Sequence, residues 1–267
     1  MNADKFFGGI GLGARGRQVY FSAPQTDYGR LTKLLLSDRQ KFFGVIRKVS
    51  GYRQVCLKIY VDLAIKNRAR YRELGIEDEV YFDSFEDISI WCEDCYKKYG
   101  EYGLEQLEWL YKTVDMRVFR LGRLQFEPTV SGKDCVVEGK KLFMGDIVFA
   151  VHIPEGKSLD KESVEDSFRK SRTFFHGLSK WYTCQSWLLD PKLTELLPAD
   201  SNILKFQKLF KPIETDRTSL QAEERIYGTV KNDPVEYPEK TTLQRAAKRY
   251  LLSGKKLGET LGVRYMD

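Results

Sequence analysis

The sequence predicts an α+β protein, with a helical N-terminal domain over residues 1–115 and a mixed β-sheet carrying helices on both faces over residues 116–267. Two observations lead there. Ahead of residue 116, apolar residues recur at helical spacing between isolated glycine breaks, whereas beyond it alternating and continuous apolar runs of strand length appear. The later segments also run strands, helix, strand, which is the order of a crossover between parallel strands.

Helices are expected at about 27–49, 52–74, 84–99 and 103–114, with breaks at Ser50-Gly51, Gly75 and Tyr99-Gly100. SFEDISIWCEDCYKKYG opens on Ser84 as an N-cap, with Ile88, Trp91 and Cys95 at helical spacing behind it. RVFRLGRLQFEP then alternates, with Phe119, Leu121, Arg123, Gln125 and Glu127 on one face, until Pro128 ends the strand. The polar trio Arg123, Gln125 and Glu127 marks either a lined cleft or a sheet edge. Residues 130–140 read as a turn-rich link holding a short strand at 134–138. KLFMGDIVFAVHIP reads as one long strand, apolar enough near its end to be covered on both faces. A helix follows at about 160–178, with Val164, Phe168 and Phe175 on one stripe. WYTCQSWLL reads as a strand, PKLTELLP as a short helix and NILKFQKLF as a strand. TSLQAEERIYG and TTLQRAAKRYLLSG read as helices before a closing strand near LGVRYM.

Composition narrows the class of function. Hydrophobic content of 42% with 31% charged residues is that of a soluble globular chain. No apolar run approaches the roughly 18 residues of a membrane span, and MNADKFFGGIGLGARGRQ lacks the features of a secretory signal, so a cytoplasmic location without membrane partners is expected. Five cysteines are too scattered for a disulfide framework. Cys92 and Cys95 form a C-x-x-C, but His152 and His176 are the only histidines and lie far apart, so no metal site is expected. Residues 1–72 carry 15 basic and 4 acidic side chains (+11), and residues 73–115 carry 3 and 13 (−10). Such blocks form an anion-binding face or neutralise each other, and neutralisation within one unit is the simpler expectation. The basic stretch YRQVCLKIYVDLAIKNRARYRELG has helical spacing and none of the glycine-rich or aromatic surroundings of a nucleic-acid platform.

Two motifs touch on chemistry. Residues 11–16, GLGARG, match G-x-G-x-x-G, yet no strand precedes them and no helix is expected behind them, so a flexible N-terminal segment is the reading. In VHIPEGKSLDKES an apolar strand stops and a helix begins. Asp160 is placed as the N-cap, with Leu159 and Val164 spaced as a hydrophobic staple. The same helix start, with Gly156 and Lys157 ahead of it, has the free amides and dipole end that suit a phosphate. His152 closes the strand before this turn, and Cys184 and Ser186 alternate on the next one. His152 is thus a candidate general base, with Cys184 or Ser186 as nucleophile or proton donor.

FRLGRLQFEP, VHIPEGKSL, YTCQSWLLDP, LLPADSNILKFQ and TTLQRAAKRYLLSG together resemble a bacterial acyltransferase-domain family, over roughly residues 50–267. The family joins a helical N-acyltransferase N-terminal domain to a GNAT-like C-terminal domain. The resemblance implies that the strand ending in VHIP splays from YTCQSWLL, that an acyl-CoA (acetyl-CoA) enters the gap, and that its pyrophosphate rests on Ile153, Gly156, Lys157 and Ser158. The superfamily loop usually reads Q/R-x-x-G-x-G/A, and EGKSLD does not contain it. The implied reaction is acyl transfer from CoA to an amine or hydroxyl of a small molecule or peptide. Glu127 or His152 would be the base, Ser186 the proton donor, Cys184 a covalent way-station, and Arg123 with Gln125 would orient the acceptor. A non-catalytic acyl-CoA or metabolite sensor, or a protein-interaction module, is the alternative.

Overall fold

Phe6 and Phe7 are fully buried, and they order the start of the chain. The N-terminal segment around GLGARG, expected to be flexible, instead contains two helices, α1 (Ala3–Gly9) and α2 (Ala14–Phe21). Burying two phenylalanines stabilises by about 3–6 kcal/mol, which outweighs the weak local propensity. Phe6 meets Phe85 at 6.1 Å and Phe7 meets Tyr20 at 5.1 Å, both edge-on. GLGARG therefore spans the end of the link between two helices and the first turn of α2. Gly11 bends it at φ +65°, and no strand enters, so the dinucleotide fingerprint lacks its βαβ setting.

The computed structural model describes residues 1–267, which divide into two units, Met1–Arg120 and Leu121–Asp267. The first unit continues with α3 (Tyr28–Ser37), α4 (Arg39–Ile46), α5 (Tyr52–Glu73), α6 (Asp78–Tyr99) and α7 (Leu107–Val114). The single helix expected at 27–49 is split at Asp38, whose φ of −151° breaks α3 and whose carboxylate accepts the Lys41 amide to start α4. α6 begins six residues ahead of the expected Ser84 because Tyr81, Phe85, Ile88, Cys92 and Cys95 form one continuous buried stripe. Ser84 lies inside that helix, its hydroxyl donating to the Val80 carbonyl. The basic and acidic blocks meet within the unit: Arg47 pairs with Glu105, Arg53 with Glu101 and Glu105, and Arg68 with Asp78. No helix of the chain is long and apolar enough to cross a membrane.

The second unit is a mixed six-stranded sheet with helices packed on it, which makes the fold α+β. Its strands are β1 (Phe119–Leu121), β2 (Leu124–Val130), β5 (Ile147–His152), β6 (Trp181–Ser186), β7 (Lys211–Asp216) and β8 (Glu259–Tyr265); β3 (Cys135–Val137) and β4 (Lys140–Leu142) form a separate hairpin. The spatial order is β1-β2-β5-β6-β8-β7, with β5 and β6 parallel and joined by the crossover helix α8 (Lys161–Phe174). α8 packs on one face through Phe168, which meets Phe126 at 5.7 Å and Tyr182 at 5.0 Å. The short α9 (Asn202–Gln207), α10 (Gln221–Tyr227) and α11 (Thr242–Leu252) build a further core around Leu204, Tyr227, Tyr237 and Tyr250.

Three strand expectations are corrected. RVFRLGRLQFEP is two strands, because Gly122 at φ +77° turns the chain, and β2 runs through Pro128 to Val130. Proline is tolerated there because β1, three residues long, is too short to reach it. KLFMGDIVFAVHIP is two strands as well: Gly145 at φ +90° and the Asp146 carboxylate, which accepts the Phe143 amide, make a turn between β4 and β5. NILKFQ is α9 and not a strand, since Ser201 caps it by accepting the Leu204 amide and the helix buries both Leu204 and Phe206.

Candidate active site

β5 and β6 run in parallel, but their pairing covers only Phe149↔Tyr182 and Ala150↔Thr183. Beyond that point Val151 and His152 on one strand, and Cys184 to Ser186 on the other, lie outside the ladder. β6 meanwhile stays paired with β8 along its full length, from Trp181↔Tyr265 to Ser186↔Thr260. β5 likewise stays paired with β2 to its last residue, Gln125↔His152. The two parallel neighbours therefore part at their carboxyl ends, just ahead of α8. Successive residues of a strand direct their N–H and C=O groups to opposite edges, so one of Val151 and His152 presents both to the gap.

On the sheet face away from α8, His152 Nε2 lies 3.1 Å from Glu127 Oε2. The two groups lie within hydrogen-bond reach, and which of them donates follows the tautomer of the ring. The His152 side chain is 29% exposed and that of Glu127 11%. Gln125 stands directly across from His152, 1% exposed, and its buried Nε2 has no hydrogen-bond partner. Ala150, between Glu127 and Thr183 in the same cross-strand row, contributes only a methyl group to this face.

Cys184 and Ser186 share the parity of Tyr182 and so face α8, on the opposite side of β6 from His152. Cys184 is buried, and that burial pushes its thiol up to about 12. The Ser186 hydroxyl accepts the Leu188 amide, closing the turn after β6. Arg123 lies in the β1–β2 turn, where its Nε donates to the Ser158 carbonyl at 3.0 Å and ties that turn to the loop ahead of α8.

In that loop Ile153 is half-buried, while Gly156, Lys157 and Ser158 are exposed. Gly156 takes φ +115° with open space where a side chain would begin. Asn202 Nδ2 donates to Ser158 Oγ at 2.8 Å. Asp160 caps α8 by accepting the Ser163 amide at 2.9 Å, and this bond holds its carboxyl below the ordinary range. Leu159 and Val164 are both buried, as a staple requires. The cap uses the amide of Ser163, and the Asp160 carbonyl accepts that of Val164, leaving the amides of Lys161 and Glu162 without protein partners.

The structure thus gathers Gln125, Glu127 and His152 on one face and leaves Cys184 and Ser186 on the other. Thr183 and Gln185, which line the His152 side of β6, drew no attention in the sequence. Alternation in YTCQS separates the two sets, but nothing local says which set faces α8.

A parting of parallel strands ahead of a crossover helix is the framework of a GNAT-like domain. Residues 118–264 match the family described as the GNAT-like C-terminal domain, and residues 1–116 match the N-acyltransferase N-terminal domain. The chain belongs to the family that joins these two domains. Among solved structures it is similar to an acyltransferase in complex with decanoyl-CoA and teicoplanin, with a TM-score of 0.80 and 19% identity over 99% of this chain and 88% of that one. It is similar also to an acyltransferase in complex with decanoyl-CoA, with a TM-score of 0.79 and 21% identity over the same shares. No curated protein matches the sequence.

Proposed function

We propose that this protein is an acyl-CoA-dependent N-acyltransferase that moves an acyl group from CoA sulfur to an amine or hydroxyl of a small molecule or peptide. The observation that carries the reading is the end of the β5–β6 ladder at Ala150/Thr183. A thioester arm fits such a gap, with the unpaired backbone of β5 as its hydrogen-bonding rail. The acyltransferases of similar fold, which were solved with decanoyl-CoA, and with CoA and 10C-teicoplanin, support it. We take the domains as 1–115 and 116–267.

In this reading the pyrophosphate lies against Gly156, Lys157 and Ser158, where the Lys161 and Glu162 amides donate and the lysine adds charge. The open loop supplies these contacts in place of the usual Q/R-x-x-G-x-G/A pattern. Acyl transfer needs a base, an oxyanion donor and a proton for the leaving sulfur. His152 takes a proton from the attacking nitrogen, and Glu127 orients the ring and stabilises the imidazolium. A backbone N–H of the parted β5 stabilises the tetrahedral oxyanion. The C–N bond forms, the C–S bond breaks, and the proton held by His152 passes to the thiolate to leave free CoA. An amine arriving as ammonium loses one further proton to solvent before attack. Gln125, with a buried amide and no protein partner, is placed to orient the acceptor. Cys184 and Ser186 have no part in this scheme because they face α8.

A thermal-shift titration tests the reading. Decanoyl-CoA or acetyl-CoA raises the melting temperature, with about 2.7 kcal/mol of stabilisation at a hundred times Kd, and amine acceptors then release free CoA. Absence of any shift with either thioester rejects the proposal. A shift without CoA release under a broad set of amines leaves a binding protein and rejects the enzyme.

A further inference from the structure

The β3–β4 hairpin folds over the sheet face away from α8, where Val137 and Leu142 pack on Val148 and Val263. Beside it runs a groove of about 390 Å³. Its floor is Val148, Leu142, Leu261 and Val263, and its inner wall is Thr183 and Gln185 of β6. This face is also that of Glu127 and His152. The register runs Glu127↔Ala150, Ala150↔Thr183 and Thr183↔Val263, so in this row the groove residue Thr183 lies two strand spacings, roughly 10 Å, from Glu127. Ala150, whose side chain is a methyl group, stands between them in that row.

The far end of the groove is anionic by construction. β7 carries a bulge between Pro212 and Glu214, after which Glu214 pairs with Leu261 and Asp216 with Glu259. A one-residue shift in a strand exchanges its two faces, so the bulge is what turns Glu214 and Asp216 toward the groove. Lys133 pairs with Glu214. Asp216 accepts from Thr218, and Glu259 from Ser219 and Gln221, all neutral donors, and neither carboxylate is paired with a cation.

We infer that this groove is the acceptor site, and that the acceptor carries a positive charge remote from its reacting amine, the two joined by an apolar stretch. The assignment rests on the acyltransferase reading. Apolar groups lie on Val148, Leu261 and Val263, and the remote cation meets Asp216 and Glu259. The reacting amine reaches past Thr183 toward His152, three strand spacings or roughly 14 Å from β7. Chemically the substrate is a long diamine, or a larger amphiphile with two such amines.

Cys135 lines the groove and is half-buried, whereas the other four thiols are buried. Its alkylation therefore reports groove occupancy independently of turnover. The experiment treats the whole protein with iodoacetamide at about pH 9, since burial raises the thiol and the thiolate is the form that reacts. The probes are 1,10-diaminodecane, 10-amino-1-decanol and 10-aminodecanoate. The diamine slows Cys135 modification roughly tenfold at ten times its half-protecting concentration, because only the empty fraction reacts. The amino alcohol protects less and the amino acid least. The pair Asp216→Asn and Glu259→Gln erases the advantage of the diamine over the alcohol, about two- to fivefold per carboxylate. Equal protection by all three probes, or none, overturns the inference, and so does protection by decanoyl-CoA in their stead, which makes the groove an acyl-tail site. The decanoyl-CoA thermal shift is read separately. A shift without diamine protection sinks only the groove assignment, and diamine protection without a shift sinks the acyl-CoA reading beneath it.

Discussion

At the scale of the residue, one hydrogen bond organises the proposed chemistry. Glu127 and His152 come from neighbouring antiparallel strands, and their contact fixes the orientation of the ring. His152→Ala is expected to lower kcat by roughly 10²- to 10⁴-fold while the acyl-CoA thermal shift is retained. Glu127→Gln lowers kcat less and changes the pH–rate profile, since an amide cannot stabilise an imidazolium. Full turnover in both variants removes the pair from the mechanism. Cys184 makes the opposite case. Its thiol, pushed up to about 12 by burial, is neutral at pH 7, so Cys184→Ala keeps its turnover and loses about 1 kcal/mol of stability. Loss of activity with the fold intact would restore Cys184 as a nucleophile.

At the scale of the element, the start of α8 serves two ends. Asp160 secures the helix with its side chain, and Leu159 and Val164 hold the entry angle of the chain, so the loop 153–159 needs no rigidity of its own. Asp160→Ala is expected to cost about 1 kcal/mol in denaturant titrations. The substitution also frees the Ser163 amide, so acyl-CoA affinity stays level or rises. A fall in affinity tenfold or more, with the helix intact by circular dichroism, shows that the carboxylate itself holds the cofactor. α11 offers a comparison remote from the site, because Thr241 and Gln244 form a full capping box. Thr241→Ala costs a similar amount and leaves CoA binding untouched.

At the scale of the whole molecule, charge holds the helical unit together. Burial alone would raise the Glu105 carboxyl, but the Tyr52 hydroxyl and the guanidinium groups of Arg53 and Arg47 outweigh it and bring the group below the ordinary range. A depressed carboxylate contributes stability that is fully present above its unfolded-state value, near pH 4.3, and is lost as pH falls through the lower folded-state value. Unfolding of residues 1–120 by urea is therefore expected to shift to lower denaturant as pH drops from 5 toward 3. Glu105→Gln flattens that dependence and costs about 1–2 kcal/mol at pH 7. An unchanged slope in the variant assigns the acid sensitivity to other carboxylates.

The amino-acid sequence by itself determined the two-part organisation, the buried stripe of α6, the alternation of β2 and β6, and the capped turn into α8. Each of these is local: helix and strand periods, caps and staples depend on residues a few positions apart, so they are legible without the rest of the chain. Tertiary structure alone decided the remainder. Phe6 and Phe7 order a segment that reads as loose because their partners, such as Phe85 and Tyr20, come from α6 and α2. Which parity of β6 meets α8, and so which of Thr183 and Cys184 shares a face with His152, depends on how a helix docks. Where β5 and β6 part depends on β2 and β8 holding them from either side. That gap is set by pairings between segments tens of residues apart, and no local pattern records it.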